Sequence, residues 1–253
     1  MIIVFYVGTA AIALLLIYMW IEAHLNRVVK KEIPIEGLPE QFQSFTIFFI
    51  SDLHNRRISD GIIKEVQEVA DVVVIGGDVM EKGVSFDKVN ENMKKLSHVA
   101  PCYFVWGNND YEEDPDQLEQ ILLNNNVHIL NNSAETIERN GEEISFLGID
   151  DLSTHHHSLR KALACAKANT KILISHNPDI KHELKENDRI QLLLSGHTHG
   201  GQIRILGFGI REKGGIKRVG ETTVVISNGY GTTTLPLRLM APAETHLFTL
   251  KRK

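Results

Sequence analysis

Apolar and polar positions are distributed in two regimes along this chain of 253 residues. From Ile2 to Ile21 nothing more polar than Thr9 and Tyr6 occurs, and the first charged side chain is Glu22. At about 1.5 Å of rise per residue such a run makes about 30 Å of helix, the thickness of a bilayer's hydrocarbon core. Beyond it the apolar residues come in short runs rich in β-branched and aromatic types: Thr46–Ile50, Val72–Ile75, 103–106, 144–147, 172–174, 192–194, 224–226 and 247–250. Several are apolar throughout, as strands covered on both faces must be. Helical spacing occupies 61–70, 86–98, 116–125 and 159–168, giving a βαβ rhythm. Asn140-Gly141 between two candidate strands is a hairpin signal, so the pattern predicts an α/β domain with some antiparallel pairing.

The organisation expected is an anchor over 2–21, a tether over 22–43 and one domain over 44–253. The tether rests on Pro34, Gly37 and Pro39 amid mixed charge without a sustained period. A cleaved signal peptide would want basic residues before the apolar run and small residues after it, whereas Tyr18-Met19-Trp20 stands at that end. Phe5, Tyr6, Tyr18 and Trp20 suit the two membrane interfaces, and Arg27, Lys30 and Lys31 follow the span closely. The positive-inside bias then predicts a single-pass cell-membrane protein with its domain in the cytoplasm.

Composition changes this picture little. Lys plus Arg number 27 against 32 Asp plus Glu, a formal charge of −5, and no basic block is present, so no nucleic-acid partner is expected. Cys102 and Cys165 match no ligand spacing and are expected to be buried apolar residues.

The chemistry lies in the polar residues at the carboxyl ends of the candidate strands. Thr46–Ile50 leads into Ser51-Asp52-Leu53-His54, Val72–Ile75 into Gly76-Gly77-Asp78, and the 103–106 run into Gly107-Asn108-Asn109-Asp110. The 172–174 run leads into Ser175-His176, and the 192–194 run into Ser195-Gly196-His197-Thr198-His199-Gly200-Gly201. In open α/β sheets ligands bind outside the carboxyl ends of the strands, so these five loops can converge. Oxygen and imidazole donors together suit Mn, Fe or Zn, and seven donors exceed the needs of one ion. Two divalent ions sharing one carboxylate and a hydroxide would use them all and would clamp a phosphoryl group. The run His155-His156-His157 after Asp150-Asp151 is explained as well by a loop before the 159–168 helix.

In this order, Asp-x-His at 52–54, Gly-Asp at 77–78, Gly-Asn at 107–108, the His176 loop and Gly-His-x-His at 196–199 resemble the motif blocks of the calcineurin-like metallophosphoesterases. With Gly200-Gly201-Gln202 and the apolar amino-terminal segment, the chain is similar to a bacterial membrane-associated branch of that family. The resemblance implies a four-layer αββα sandwich of two mixed sheets and metal-dependent hydrolysis of phosphodiester, pyrophosphate or phosphomonoester bonds. It implies Asp52, His54 and His199 on one metal, Asn108, His176 and His197 on the other, and Asp78 bridging them. Asn109, Asp110 and His197 are the implied catalytic residues.

One position departs from the family. Where a histidine usually follows the metal-binding Asn, this chain has Asn109, which can donate a hydrogen bond but has no proton to release. Three explanations stand open: a leaving group that needs no acid, another histidine such as one of 155–157, or a metal-binding adaptor whose catalysis has lapsed. The anchor points to a membrane-proximal substrate, lipid-linked phosphoesters among them. Residues 211–218, with Arg211, Lys213 and Lys217, are read either as a solvated hairpin or as a contact for anionic lipid or phosphate.

Overall fold

A computed structural model describes residues 1–253. The amino-terminal apolar run forms a single helix, α1 (Ile2–His24), along which only Met19 and Ala23 are buried. The rest builds two six-stranded sheets. In spatial order the first is β1 (Val28–Ile35), β12 (Thr245–Arg252), β2 (Thr46–Ile50), β3 (Val72–Ile75), β4 (Cys102–Phe104) and β5 (Val127–Ile129). The second is β10 (Gly215–Val219), β11 (Thr222–Ile226), β9 (Ile190–Ser195), β8 (Lys171–Ile174), β7 (Glu142–Gly148) and β6 (Ser133–Arg139). β2 to β5 are mutually parallel, as are β7, β8, β9 and β11, while β12 against β2, β6 against β7 and β10 against β11 are antiparallel.

Period-two alternation sorts side chains between layers. On β2, Ile47 and Phe49 enter the core between the sheets with Val74, Phe146, Ile172, Leu192 and Phe248. Phe48 and Ile50 point the other way, against Ile62, Met93, Leu96 and Leu118 of α2 (Asp60–Val66), α3 (Phe86–Ser97) and α4 (Pro115–Asn124). Leu147, Leu173, Leu193 and Val224 cover the outer face of the second sheet with Leu159 and Ala162 of α5 (Leu159–Cys165). The result is the expected helix–sheet–sheet–helix sandwich. Each of these four helices starts at a side-chain cap, Ser59, Ser85, Asp114 or Ser158, that accepts from a first-turn backbone N–H. Asn140 and Gly141 both have positive φ, 50° and 81°, as a tight hairpin joining β6 to β7 requires.

Two expectations need correction. Residues 22–43 are not a free tether: β1 pairs with β12 over eight residues, and Ile33, Ile35, Leu38 and Phe42 are buried between the sheets. Pro34, one of the residues on which the tether reading rests, is compatible with a strand because β1 lies on the sheet edge, where a missing N–H costs nothing. Cys102 is buried, but Cys165 is exposed, because it lies at the last turn of α5 on its solvent side.

Candidate metal centre and the cleft above it

The carboxyl ends of β2, β3, β4, β8 and β9 meet at one edge of the sandwich. The two sheets are sewn together there by main-chain bonds, Tyr230 N–H to the Ser51 carbonyl at 3.0 Å and Gly231 N–H to the Asp52 carbonyl at 2.6 Å. Backbone must pass very close to the acidic groups. A Cβ at Gly107 would lie 2.3 Å from Asp78 Oδ1, and one at Gly196 would lie 2.4 Å from Asp52 Oδ2, so only glycine fits at either position.

Asp52, His54, Asp78 and His199 are all buried, and one ligand atom from each lies within 4.8 Å of the other three. His54 Nε2 and His199 Nε2 face each other at 3.0 Å, and His199 Nε2 is 3.3 Å from Asp52 Oδ1. On the other side of Asp78, its Oδ2 is 3.2 Å from His176 Nε2 and 3.8 Å from His54 Nε2, so one carboxylate oxygen faces both groups. His176 Nε2 in turn is 3.2 Å from His197 Nδ1. Asn108 lines the cleft beside Asp78 and His197, and its buried Oδ1 has no hydrogen-bond partner. Neither has Asp52 Oδ2. Orphaned buried acceptors among converging imidazoles are costly unless a cation satisfies them, so the donor set fits divalent metal.

Neighbouring groups fix the histidines. His176 Nδ1 donates to the Gly76 carbonyl at 2.8 Å, which leaves Nε2 as the free donor atom toward Asp78. His54 Nδ1 lies 3.1 Å from Glu81, a residue that fits no strand-end pattern and was missed in the sequence. Burial alone would raise the Asp52 and Asp78 carboxyls, but the surrounding imidazoles overcome it and hold both below the usual carboxylate range. Against the same burial, Asp78 pulls the His176 imidazole up to about 10. Burial, only partly offset by Asp52, takes His199 down to about 3, and burial together with His176 keeps His197 low.

Above the donors opens a cleft of about 310 Å³, lined by Asn108, Asn109, His197, Gln202, Ile210 and Arg211 among others. Asn109 stands over His54, its Nδ2 3.4 Å from Nδ1, and Arg211 Nη1 is 3.4 Å from His197 Nε2. Asp110 is not in the cleft. It is fully buried, with Oδ2 accepting from Asp78 N–H and Gly107 N–H at 2.8 Å each and Oδ1 from Val79 and Met80. Burial and the nearby Asp78 carboxylate push it up to about 7 against the pull of these donors. The histidine run does not line the cleft, and His157 pairs instead with Glu183 at 3.0 Å.

Arg238, which the sequence offers within Leu235-Pro236-Leu237-Arg238 as a brace for a carboxy-terminal strand near the site, is fully buried behind the centre. Its guanidinium donates to the carbonyls of Ala241, Asn228 and Gly231 and lies 3.4 Å from His199 Nδ1, while its backbone N–H donates to the Met19 carbonyl of α1.

Residues 45–201 match the family model of the calcineurin-like phosphoesterases. The chain is 40% identical over 247 residues to the protein YpbG of Bacillus subtilis (strain 168), covering 96% of this chain and 94% of that one. It is 33% identical to a zebrafish (Danio rerio) transmembrane protein with metallophosphoesterase domain, over 89% of this chain and 57% of the relative. It is 27% identical to the phosphodiesterase YaeI of Escherichia coli (strain K12), over 81% and 82%. Among solved structures, the NAD nucleotidase of Haemophilus influenzae superposes with a TM-score of 0.54 at 15% identity, over 74% of this chain and 51% of that one. This chain therefore spans only about half of the nucleotidase, and the likeness concerns the fold. With two sheets, five converging loops and the family's motif blocks in place, the chain belongs to the calcineurin-like phosphoesterases.

Proposed function

We propose that the protein is a membrane-anchored phosphoesterase with a dinuclear metal centre, manganese, iron or zinc being the ions its donors suit. The observation that carries this reading is the placement of Asp78 Oδ2 between His54 Nε2 and His176 Nε2, with two further donors on each side. Asp52, His54 and His199 would hold one ion and Asn108, His176 and His197 the other. Bound there, the ions would supply Lewis acidity and lower the pKa of an attacking water. The chain's own part is positional. Asn109 donates to a phosphate oxygen, and Arg211 faces the charge that grows on the equatorial oxygens. Asp110 is a positioning residue, locking the Asp78 turn to the Asn108 turn through four backbone N–H groups.

No side chain lining the cleft stands as a general acid in the place of the usual histidine. Substrates are then those whose leaving group departs without a proton, such as a phosphoanhydride or an aryl ester. Anchorage favours a substrate at the membrane surface, and Arg27, Lys30 and Lys31 favour a cytoplasmic domain. Two measurements test the proposal on the full chain in lipid vesicles. Added Mn is expected to support hydrolysis of an aryl phosphodiester, and Asp78→Asn to abolish it. The rate is expected to fall steeply as leaving-group pKa rises; a flat dependence would reveal an acid and overturn this reading. Metal binding without turnover of any ester would establish the adaptor alternative.

A further inference from the structure

Beyond His199 the chain leaves the metal centre and forms a small hairpin in which Ile205 and Phe208 pair across Leu206-Gly207. Its apolar side chains point into solvent: Ile205 is 68% exposed, Leu206 88%, Phe208 83% and Ile210 93%. Outside the amino-terminal segment 1–24 no other large apolar side chain exceeds 54%. The hairpin is rigid in this pose, because Arg204 spends its guanidinium inside it, donating to the carbonyls of Gly207, Gly200 and Arg211 at 2.8–3.0 Å. These residues cannot turn inward without breaking that network, so their exposure is a built feature rather than a scattered surface hydrophobe.

Its place in the fold says what covers it. The Leu239 N–H donates to the Gln202 carbonyl and the Leu239 carbonyl accepts from Arg204 N–H, so the hairpin hangs on residue 239. The residue before, Arg238, donates its N–H to the Met19 carbonyl near the end of α1. Leu235 and Met240, the next exposed apolar side chains there, flank this junction. The exposed hairpin and the membrane-length helix thus share one attachment point, and Arg211 stands where the hairpin returns to the cleft.

We infer that the 203–210 hairpin inserts Leu206 and Phe208 into the leaflet that α1 enters, so that the cleft, walled by Ile210 and Arg211, opens onto the lipid headgroups and admits amphiphilic phosphoesters from the bilayer. The docking rests on the hairpin and α1 alone; the substrate class rests also on the phosphoesterase reading above. Burying this apolar surface adds to what the helix provides and, more importantly, fixes orientation.

The test uses the full chain in phosphatidylcholine–phosphatidylglycerol vesicles. Leu206→Trp and Phe208→Trp are expected to lose about half of the added tryptophan emission when the lipids are brominated near the headgroup end of their chains, as side chains in the headgroup–acyl boundary should. Leu123→Trp, on exposed α4, is expected to lose none. Emission at 206 and 208 as insensitive as at 123 overturns the docking, whether water, a second copy or another protein surrounds the hairpin. For the substrate class, Leu206→Ser combined with Phe208→Ser is expected to keep Mn-dependent hydrolysis of a soluble aryl phosphodiester. The same variant should lose about tenfold on an acyl-chain-bearing aryl phosphodiester held in the vesicle, the order expected when an orienting contact is removed. Equal rates on the embedded ester overturn the substrate class, and absence of hydrolysis in every variant fails the phosphoesterase reading while leaving the quenching result intact.

Discussion

Five of the seven candidate metal ligands, Asp52, His54, Asp78, His197 and His199, have positive φ, between 47° and 69°. Each such non-glycine position costs on the order of 1–3 kcal/mol and persists only where its surroundings over-determine it. The sequence shows which residue types come after each strand, and hence the donors, but not this strain, nor the groups that hold the donors. Glu81 was not legible as a site residue because its partner, His54, sits on a different strand-end loop, whereas Arg238 could be singled out near the site but not ranked, since its acceptors are backbone carbonyls. Glu81 is expected to behave as an orienting group for His54: Glu81→Gln should weaken metal binding about 10–100-fold by isothermal titration with little change in fold. Away from the centre, His246 stacks on Phe49 and Phe248, and burial holds its imidazole down at about 4 against an ordinary 6.5. Between those values the unfolded chain binds the proton and the folded one does not. Stability is therefore complete above about pH 6.5 and falls as the pH drops toward 4, by up to about 3 kcal/mol from this group. Urea titrations should show that loss, and His246→Phe should flatten it.

At the level of elements, β2 and β3 have the bounds that their apolar runs predicted, since strands buried on both faces leave an uninterrupted signal. β6 and β10 lie at sheet edges and carry mixed polar sequence, so no apolar run announced them. The end of α1 is the least expected element. Arg56, two residues beyond His54, stacks on the Tyr230 ring at 3.7 Å and donates to the carbonyls of Ala23, His24 and Leu25. These are carbonyls that a helix end leaves without intrahelical partners. Arg56→Met is expected to destabilise the full chain by about 1–3 kcal/mol in urea unfolding, because it strips the last turn of its donors. Arg56→Lys should recover only part, since an ammonium cannot reach three carbonyls in one plane.

For the whole molecule, the α/β class and the five-loop convergence could be read from order and spacing and the αββα layering was implied by the family resemblance, while the attachment of α1 to the domain could not be read, because it rests on backbone groups that carry no sequence signature. The domain does not swing on a flexible tether: α1, the Arg56 loop, Arg238 and β1 form one continuous body. A chain beginning at residue 28 should consequently melt several degrees below one beginning at residue 20, at about 2–4 °C per kcal/mol for a domain this size. Equal melting temperatures would show that the helix end contributes nothing.

The position of β12 also sets an order in time. It lies between β1 and β2, so β1 can find its neighbour only once β12 has been made. Roughly 210 residues separate Ile35 from Thr245, and at about 5–20 residues per second the ribosome needs about 10–40 s to deliver them. Throughout that interval the nascent chain presents two open strand edges, one beside its apolar helix and one on β2, and closing them waits on β12. A chain cut before Thr245 would therefore keep every candidate metal-ligand loop but could not complete its first sheet.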